Sequence, residues 1–208
     1  MSFFLSLEGP DGSGKTTQAR LLADHLRAAG HDVLLAREPG GTPVGDQIRQ
    51  VLFSLENKGM SPEAEFLLFS ASRAELVRQV LRPHLERGGL VVCDRFADST
   101  LAYQGHGHGL DLDMVRAITQ MATGGLRPDL TILLDVPAEA GLARRRQEGR
   151  WNRLDDYGLE FHLRVRQAFL DLAAAEPERW VIVDARLAER DVQQELQRVV
   201  EARLAERR

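Results

Sequence analysis

The chain has 208 residues, of which 43% are hydrophobic and 28% are charged, and its formal net charge is −4. These values are ordinary for a globular protein with a substantial core, and they exclude binding of a polyanion through overall charge. Phosphate sites must therefore come from local basic clusters. The single cysteine, Cys93, excludes an internal disulfide and favours a reducing compartment. No apolar run is long enough for a membrane span and no signal-peptide pattern is present, so we expect a cytoplasmic protein.

Near its amino terminus the chain reads Gly9-Pro10-Asp11-Gly12-Ser13-Gly14-Lys15-Thr16-Thr17. This is the P-loop pattern, in which glycines let backbone N–H groups surround phosphate oxygens. Residues 3–8 before it predict a buried strand, and residues 16–29 after it predict an amphipathic helix whose amino terminus adds positive charge. Lys15 is expected to reach the β- and γ-phosphates, and Thr16 to ligate Mg²⁺. The motif predicts a nucleoside-triphosphate site.

Four further apolar runs alternate with helical patterns: Val33 to Arg37, Leu90 to Asp94, Thr131 to Val136 and Trp180 to Asp184. Short, continuous hydrophobicity is typical of strands covered on both faces, and the alternation predicts a parallel sheet. No repeat, low-complexity tract or linker divides the chain. We expect residues 1–208 to form a single α/β domain, a three-layer P-loop fold with a five-stranded parallel sheet and helices on both faces.

Polar residues follow the second and third strands. Arg37-Glu38-Pro39-Gly40-Gly41-Thr42 predicts a turn at the carboxyl end of a strand, where open α/β sheets bind ligands. A plain connection would not need the Arg-Glu pair, so a functional role is favoured. At the end of the third strand, Asp94 is placed to hold Mg²⁺ or its waters, and Arg95 to neutralise a second phosphate. Arg49, taken alone, has the pattern of a solvated surface charge.

Ser61-Pro62-Glu63 predicts the start of a helix that runs to about Leu81, with Pro83 as its stop. The stripe Ala64, Leu67, Leu68 and Ala71 is predicted to face the core. A second stripe of Phe66, Phe69 and Arg73 can stack a planar ring and hydrogen-bond its edge. The alternative, a core aromatic beside a snorkelling arginine, is slightly favoured by the residues alone.

Asp98 is predicted to cap a short helix on which Ser99 and Tyr103 share a face. The following Gly105-His106-Gly107-His108-Gly109 is predicted to be a flexible connector. Two histidines at this spacing suggest a metal site, but glycines on every side leave nothing to fix them, so the connector is favoured.

The helix after the fourth strand becomes strongly basic. The segment of about residues 141–156 contains Arg144, Arg145, Arg146, Arg150 and Arg153 and is interrupted by Gly149. A charge run usually marks a solvated face. In an acidic chain, this glycine-broken cluster instead favours a mobile lid over nucleotide phosphates. Arginines in several separate regions suit a kinase that binds two phosphorylated ligands face to face.

With these motifs in place, the whole chain resembles the bacterial thymidylate kinases, which transfer the γ-phosphoryl group of ATP to dTMP with Mg²⁺ and supply dTDP for dTTP synthesis. The matching pieces are the P-loop, Arg37 to Thr42, Phe69 to Arg73, Asp94 to Phe96, Ser99 to Gln104, Arg127 to Asp129 and the arginine-rich segment through Arg153, in family order and at family spacing. The resemblance implies ATP and dTMP as small-molecule substrates, a homodimer built through helices, and no nucleic acid polymer or membrane as a partner.

The resemblance also implies individual roles at the dTMP site. Asp11 would accept from the 3′-hydroxyl, Phe69 would stack on thymine and Arg73 would donate to its O4. Arg95 and Arg49 would hold the phosphate. The remaining substrate contacts implied are Tyr103 against the sugar C2′, Gln104 near the base, and Glu38, Pro39, Ser99 and Thr100. Thr100 departs from relatives that carry asparagine at this position.

Some thymidylate kinases carry a P-loop arginine at the position of Gly12. Because glycine has no donor, the lid is expected to supply the transition-state arginine, with Arg153 as first choice, then Arg146 and Arg150, while Arg144 serves helix packing. The catalytic residues expected are Lys15, Arg95, Arg153, Asp94 and Asp11. ATP is expected to contact Gly9, Asp11, Gly12, Ser13, Gly14, Lys15, Thr16, Thr17, Arg146 and Arg150, and Mg²⁺ to contact Thr16 and Asp94.

Two other classes of function stay open on the sequence. One is a different P-loop kinase, acting on a nucleoside or another monophosphate, which base selectivity would reveal. The other is a nucleotide-dependent switch or assembly ATPase, which would turn over ATP without an acceptor. The absence of an Asn-Lys-x-Asp motif after the fourth or fifth strand lowers the case for a GTPase switch.

Overall fold

A computed structural model of the chain describes residues 2–147, 149 and 151–207. Five strands form one parallel sheet in the order β2-β3-β1-β4-β5. They are β1 (Phe3–Glu8), β2 (Val33–Arg37), β3 (Leu90–Asp94), β4 (Leu130–Asp135) and β5 (Trp180–Asp184). The predicted α/β fold with a five-stranded parallel sheet is confirmed, and the fourth strand begins and ends one residue earlier than its apolar run.

Helices connect the strands and cover both faces of the sheet. The α-helices are α1 (Lys15–Ala28), α2 (Pro43–Phe53), α3 (Pro62–Leu76), α4 (Arg82–Glu86), α5 (Ala97–Thr100), α6 (Leu112–Thr123), α7 (Ala138–Gln147), α8 (Leu159–Ala175) and α9 (Glu189–Ala205). Two π-helical segments, Val77–Leu81 and Leu101–Gly107, continue α3 and α5, and 3₁₀ turns occupy Leu55–Asn57 and Arg153–Asp156.

The central strand β1 is buried along its whole length, and its alternate residues enter different cores. Phe3, Leu5 and Leu7 pack with apolar residues of α1 and α9 on one face of the sheet. Phe4 packs on the other face with residues of α3 and the π-helical segment that follows it. This period of two is what a strand covered on both faces requires, and it fixes the carboxyl end of β1, where the P-loop begins.

Helix α3 buries a different face from the one predicted. Leu67 is 54% exposed, and Ala64 and Ala71 are also exposed, so the predicted core stripe is wrong. The buried face instead carries Glu65 and Arg73 together with apolar residues. The stripe is apolar, as predicted, but it points away from the core of this chain. The opposite face is buried because its charged residues pair with residues elsewhere in the fold.

Pro83 does not stop the helix, contrary to the expectation. A π-helical turn over Val77–Leu81 shifts the hydrogen-bond register, and Pro83 then lies in the first turn of α4. At that position its missing N–H costs little. Asp98 is likewise not the cap of α5, since Phe96 occupies the N-cap position and Asp98 is buried against Arg179, whose Nη1 lies 2.6 Å from Asp98 Oδ2.

The glycine-rich stretch after α5 is not a flexible connector. Its first three residues, Gly105, His106 and Gly107, belong to the π-helical segment Leu101–Gly107, in which Gly105 and Gly107 are buried. A Cβ at Gly105 would lie 2.7 Å from Leu112, and one at Gly107 would lie 2.7 Å from the Phe161 ring. These glycines therefore allow close packing of neighbouring elements. The prediction of a flexible connector is wrong because glycine occurs both in flexible segments and where two elements pack closely.

Candidate active site

A cavity of about 460 Å³ opens at the carboxyl ends of β1, β2 and β3. Open parallel sheets bind ligands at this edge, where the strands end at their carboxyl termini. Most of the predicted site residues line it: Asp11, Gly12, Gly14, Lys15, Thr16, Thr17, Glu38, Pro39, Arg49, Phe69, Arg73, Asp94, Arg95, Ser99, Thr100, Tyr103 and Gln104. Among the described residues, Gly9, Ser13, Arg146 and Arg153 do not, and Arg150 lies outside the described residues.

The P-loop joins β1 to α1 and holds Lys15 inside its own curve. The ammonium donates to Gly9 O at 3.0 Å, to Pro10 O at 2.7 Å and to Ser13 Oγ at 3.0 Å. Burial, with the nearby Arg95 charge, lowers the pKa of Lys15 to about 7. The three ammonium hydrogens thus have three acceptors, all of them oxygens of the loop itself.

The amino end of α7 presses on the P-loop. A Cβ placed on Gly12 would collide with the backbone of Gly141, and one on Gly141 would collide with Asp11 O. Gly12 also has φ +75°, which disfavours other residues. A P-loop side chain at position 12 would therefore displace α7. Arg144 donates to Gly12 O and Ala185 O at 3.3 and 3.0 Å, in keeping with the packing role expected of it.

Arg95 connects the P-loop to the end of β3. Its φ of 71° is left-handed, a strained conformation for a residue other than glycine. Its guanidinium donates to Gly9 O at 3.0 Å and to Asp11 Oδ1 at 2.8 Å, and Tyr103 OH donates to Asp11 Oδ2 at 2.6 Å. Burial alone would raise the pKa of Asp11, but Arg95 and Lys15 lower it to about 2. A protonated guanidinium and an ionised carboxylate therefore face each other at the centre of the cavity.

Glu8, which the sequence did not single out, holds the backbone beyond Arg95. Its buried carboxyl group accepts from Phe96 N at 2.7 Å and from Ser99 Oγ at 2.5 Å. Burial and the nearby Asp98 raise the pKa of Glu8 to about 8. The backbone of Arg95 itself is held by Leu7, since the Arg95 N–H donates to Leu7 O at 3.0 Å. The signal available in the sequence was an acid at the end of an otherwise apolar strand.

Arg73 is fixed at the far end of the cavity and is only 1% exposed. Its Nε donates to Glu38 Oε2 at 2.7 Å, its Nη1 to Thr100 Oγ1 at 2.8 Å and its Nη2 to Phe96 O at 3.2 Å. Burial raises the pKa of Glu38 although Arg73 opposes the change. The second stripe of α3 is therefore split: Phe66 is core, whereas Phe69 and Arg73 line the cavity.

Arg49 is not a solvated surface charge. Its Nη1 donates to Pro39 O at 2.8 Å, and its guanidinium carbon lies 4.4 Å from the centroid of the Phe53 ring. Burial, with repulsion from Arg37, lowers the pKa of Arg49 to about 10. Arg37, whose pairing with Glu38 favoured a functional turn, also lines the cavity, as does Phe53, which was not among the predicted site residues.

The basic segment reaches the cavity through Arg145, which the sequence did not distinguish from its neighbours. Its Nε and Nη2 donate to Asp155 at 3.1 and 2.8 Å. Asn152 and Leu154 line the cavity beside it. Arg146 is exposed, with its guanidinium carbon 5.2 Å from the centroid of the Trp151 ring.

Arg153 is buried away from the cavity. It is 2% exposed and donates to Leu52 O at 2.8 Å, to Tyr157 OH at 2.8 Å and to Glu65 Oε2 at 2.6 Å. The expectation that Arg153 reaches the transferred phosphoryl group thus has no support from its position in this state. Glu65 was also missed, because an acid in the first turn of a helix reads as a response to the helix dipole.

The described residues contain no cluster of three or more His, Cys, Asp or Glu side chains arranged for a metal ion. His108, one of the two histidines considered, instead lies 3.0 Å from Glu65 Oε1. Within the described ranges, no helix has the length and hydropathy of a membrane span.

The strand, glycine loop and helix, with Lys15 and Thr16 at the helix start and Asp94 on the neighbouring strand, define a P-loop nucleotide-binding protein. Comparison with known proteins narrows the class. The family described as "Thymidylate kinase" matches residues 7–196. Relatives named thymidylate kinase from Roseiflexus sp. (strain RS-1) and Deinococcus radiodurans are 51% and 54% identical, covering 99% and 96% of this chain and 96% and 97% of their own.

A solved structure of thymidylate kinase from Ehrlichia chaffeensis aligns with a TM-score of 0.79 at 34% identity, covering 96% of this chain and 98% of that one. The chain belongs to the thymidylate kinase family. Its reaction is the ATP-dependent phosphorylation of dTMP to dTDP, a step in dTTP synthesis. Family membership decides against the two alternatives left open by the sequence, another P-loop kinase and an acceptor-independent switch.

Proposed function

We propose that the cavity holds ATP and dTMP on opposite sides of Arg95. The observation that carries this division is the set of Arg95 contacts, which join Gly9 O of the P-loop to Tyr103 and Ser99 on the other side. The ATP phosphates occupy the loop around Lys15, and the acceptor phosphate lies between Arg95 and Arg49. Both phosphates then face one cation across the line of transfer. We also propose that the chain folds as a single domain, as the sequence predicts.

The base of dTMP lies at the far end, against Phe69 and beside Arg73. Three hydrogen bonds hold Arg73, to Glu38, Thr100 and Phe96, and its Nη2 also lies 2.6 Å from Glu38 Oε2, whereas a guanidinium has five N–H groups. One Nη1 hydrogen is left for a carbonyl oxygen of the base, such as thymine O4. Phe69 is half-buried on the same helix, one turn away, and offers a ring face. Asp11 and Tyr103 then face the sugar.

A Mg²⁺ ion fits the Thr16–Asp94 pair. Thr16 Oγ1 lies 2.5 Å from Asp94 Oδ2, so a hydroxyl and a carboxylate converge beside the P-loop. Mg²⁺ prefers oxygen ligands, keeps several waters and needs only one or two protein groups. The ion would neutralise charge on the transferred phosphoryl group when bound. Thr16 and Asp94 would hold it directly or through water.

Of the arginines in the lid segment, we assign Arg145 as the one that stabilises the transition state. It lines the cavity, and Asp155 fixes its guanidinium through two hydrogen bonds, whereas Arg153 is buried in contacts with Glu65 and Tyr157. A fixed cation at the cavity wall is what a developing phosphoryl charge needs. Arg153 then secures the end of the lid segment. A role for Arg153 in transfer would require it to leave a buried ion pair.

The active unit is proposed to be a homodimer. The exposed apolar stripe of α3, formed by Ala64, Leu67 and Ala71, lies on a helix packed between α2 and α6. Val51 on α2 and Met121 on α6 are also exposed, by 44% and 76%. A second copy would bury these apolar side chains, and the resemblance to dimeric thymidylate kinases favours this occupant. We also place the enzyme in the cytoplasm, in agreement with its buried free thiol.

Asp94→Asn tests the metal assignment. We expect the Mg²⁺ concentration for half-maximal rate to rise by about tenfold or more at fixed ATP and dTMP, because one carboxylate ligand or its water partner is lost. Asp113→Asn, at a carboxylate that is 94% exposed, removes the same charge and should leave that concentration unchanged. An unaltered Mg²⁺ dependence in Asp94→Asn would reject this metal site.

Arg145→Ala tests the lid assignment. The single-turnover rate at saturating ATP and dTMP should fall by about 10³-fold, the size reported for loss of a transition-state arginine. Arg146→Ala, at an exposed neighbour, should change it less than about threefold. Arg153→Ala should mainly lower thermal stability, since it leaves Glu65 buried without its cation. If Arg145→Ala keeps the full rate while Arg153→Ala is folded but inactive, Arg153 and not Arg145 is the transition-state arginine, as the sequence predicted.

Leu67→Glu tests the dimer. In sedimentation equilibrium the parent chain should have twice the 23.2 kDa monomer mass, and Leu67→Glu should have the monomer mass, because a charge in an apolar contact is costly. Leu187→Glu makes the same change at a leucine with similar exposure, 52%, and should remain dimeric. A dimeric Leu67→Glu would place the interface elsewhere.

A further inference from the structure

Glu65 is the most highly hydrogen-bonded carboxylate in the part of the fold that adjoins the base end of the cavity. It is 0% exposed on α3. Its Oε1 accepts from Gln104 Nε2 at 2.8 Å and lies 3.0 Å from His108 Nε2. Its Oε2 accepts from Arg153 Nη2 at 2.6 Å and from Tyr157 OH at 2.8 Å. Four partners from two segments of the chain, 104–108 and 153–157, therefore fix one carboxylate.

The surroundings keep Glu65 ionised. Burial alone would raise its pKa, but the hydrogen bonds from His108 and Gln104, with that from Tyr157, lower it to about 2. An ionised carboxylate has acceptors only. Gln104 therefore must turn its NH₂ group toward Glu65, since the opposite orientation would set two oxygens against each other. The negative charge of Glu65, and not the shape of the surrounding pocket, therefore sets the orientation of the Gln104 amide.

The other end of the same amide is an acceptor, and Gln104 lines the cavity. Gln104 is 2% exposed and lies one turn beyond Thr100, which accepts from Arg73 Nη1 at 2.8 Å. The base end of the cavity thus combines an amide oxygen that accepts with a guanidinium that donates. A pyrimidine edge with a ring N–H next to a carbonyl oxygen matches this pair. Cytosine, with an unprotonated N3 and an amino group, presents the reverse pattern.

We propose that Glu65, which does not line the cavity, is a positioning residue for base selectivity: it holds the Gln104 amide with its oxygen toward the base, so that the site takes thymine or uracil and rejects cytosine. This inference rests on the proposed placement of the base beside Arg73. Arg153 and Tyr157, which join Glu65 from the lid segment, brace the carboxylate on its other oxygen. Base selectivity in this chain is then set in part by a residue that makes no contact with substrate.

Glu65→Gln is the direct test. A glutamine at position 65 can donate or accept, so the Gln104 amide is free to turn. We expect kcat/KM for dTMP to fall and kcat/KM for dCMP to rise, and their ratio to fall by about tenfold or more. The ratio for dTMP over dUMP should stay within about twofold, because uracil presents the same hydrogen-bonding edge. General damage to the active site would lower all three values together and leave both ratios unchanged.

Tyr157→Phe is the matched control, since it removes one hydrogen bond from Glu65 and leaves the partner of Gln104 in place. Its dTMP-to-dCMP ratio should equal that of the parent. Should Glu65→Gln fail to fold because Arg153 is left unpaired, the double variant Glu65→Gln/Arg153→Met removes both charges and should give the same lowered ratio. A folded Glu65→Gln or double variant with the parent ratio overturns the proposal.

Gln104→Leu separates this inference from the placement of the base. If Gln104→Leu lowers the dTMP-to-dCMP ratio while Glu65→Gln does not, the base lies where we place it and only the role of Glu65 is wrong. If neither variant changes the ratio, the base does not lie beside Gln104, and both the placement and the inference fail.

Discussion

The contact between Arg95 and Asp11 is the interaction on which the rest of the active site depends. Nη2 of Arg95 lies 2.8 Å from Asp11 Oδ1, and it joins the P-loop at the end of β1 to the end of β3. The parallel register of these strands brings the two residues to one edge, and the left-handed backbone of Arg95 aims its side chain across the gap. Glu8 holds the residues that follow Arg95, since its carboxyl group accepts from Phe96 N and Ser99 Oγ. A nucleotide kinase must hold two anions close together, and we propose that Arg95 is the cation that lies between them.

Buried carboxylates organise the remaining cations and amides in the same way. Glu38 orients Arg73, Asp155 orients Arg145, and Glu65 holds Arg153 together with the Gln104 amide. Burying such pairs rarely stabilises a fold over apolar packing, so their value lies in fixed geometry. The buried face of α3 follows from this requirement. Its charged residues must face inward to meet their partners, which leaves the apolar stripe for another surface.

Local patterns in the sequence were enough to predict the sheet and the P-loop, because strand hydrophobicity and glycine spacing do not depend on distant residues. Most cavity residues were also identified, although their roles remain predictions. The errors concern long-range partners. Leu67 is apolar yet exposed, Arg153 is basic yet buried, and the π-helical turn that accommodates Pro83 has no local signature. Glu8 and Glu65 went unnoticed because a lone acid shows its function only when its partners from elsewhere in the chain are known.

Binding of dTMP to Arg95→Met tests the central claim most directly. Calorimetric titration of the variant and the parent with dTMP and, separately, with ATP reports each site without turnover. The account predicts that dTMP affinity falls by about tenfold to 100-fold, the size of a lost charged hydrogen bond, while ATP affinity falls by a clearly smaller factor, because Lys15 and the P-loop still hold the ATP phosphates. Arg198→Met, at a surface arginine, should leave both affinities unchanged. Unaltered dTMP affinity in a folded Arg95→Met, or an equal loss for ATP, would contradict the placement of Arg95 at the acceptor phosphate.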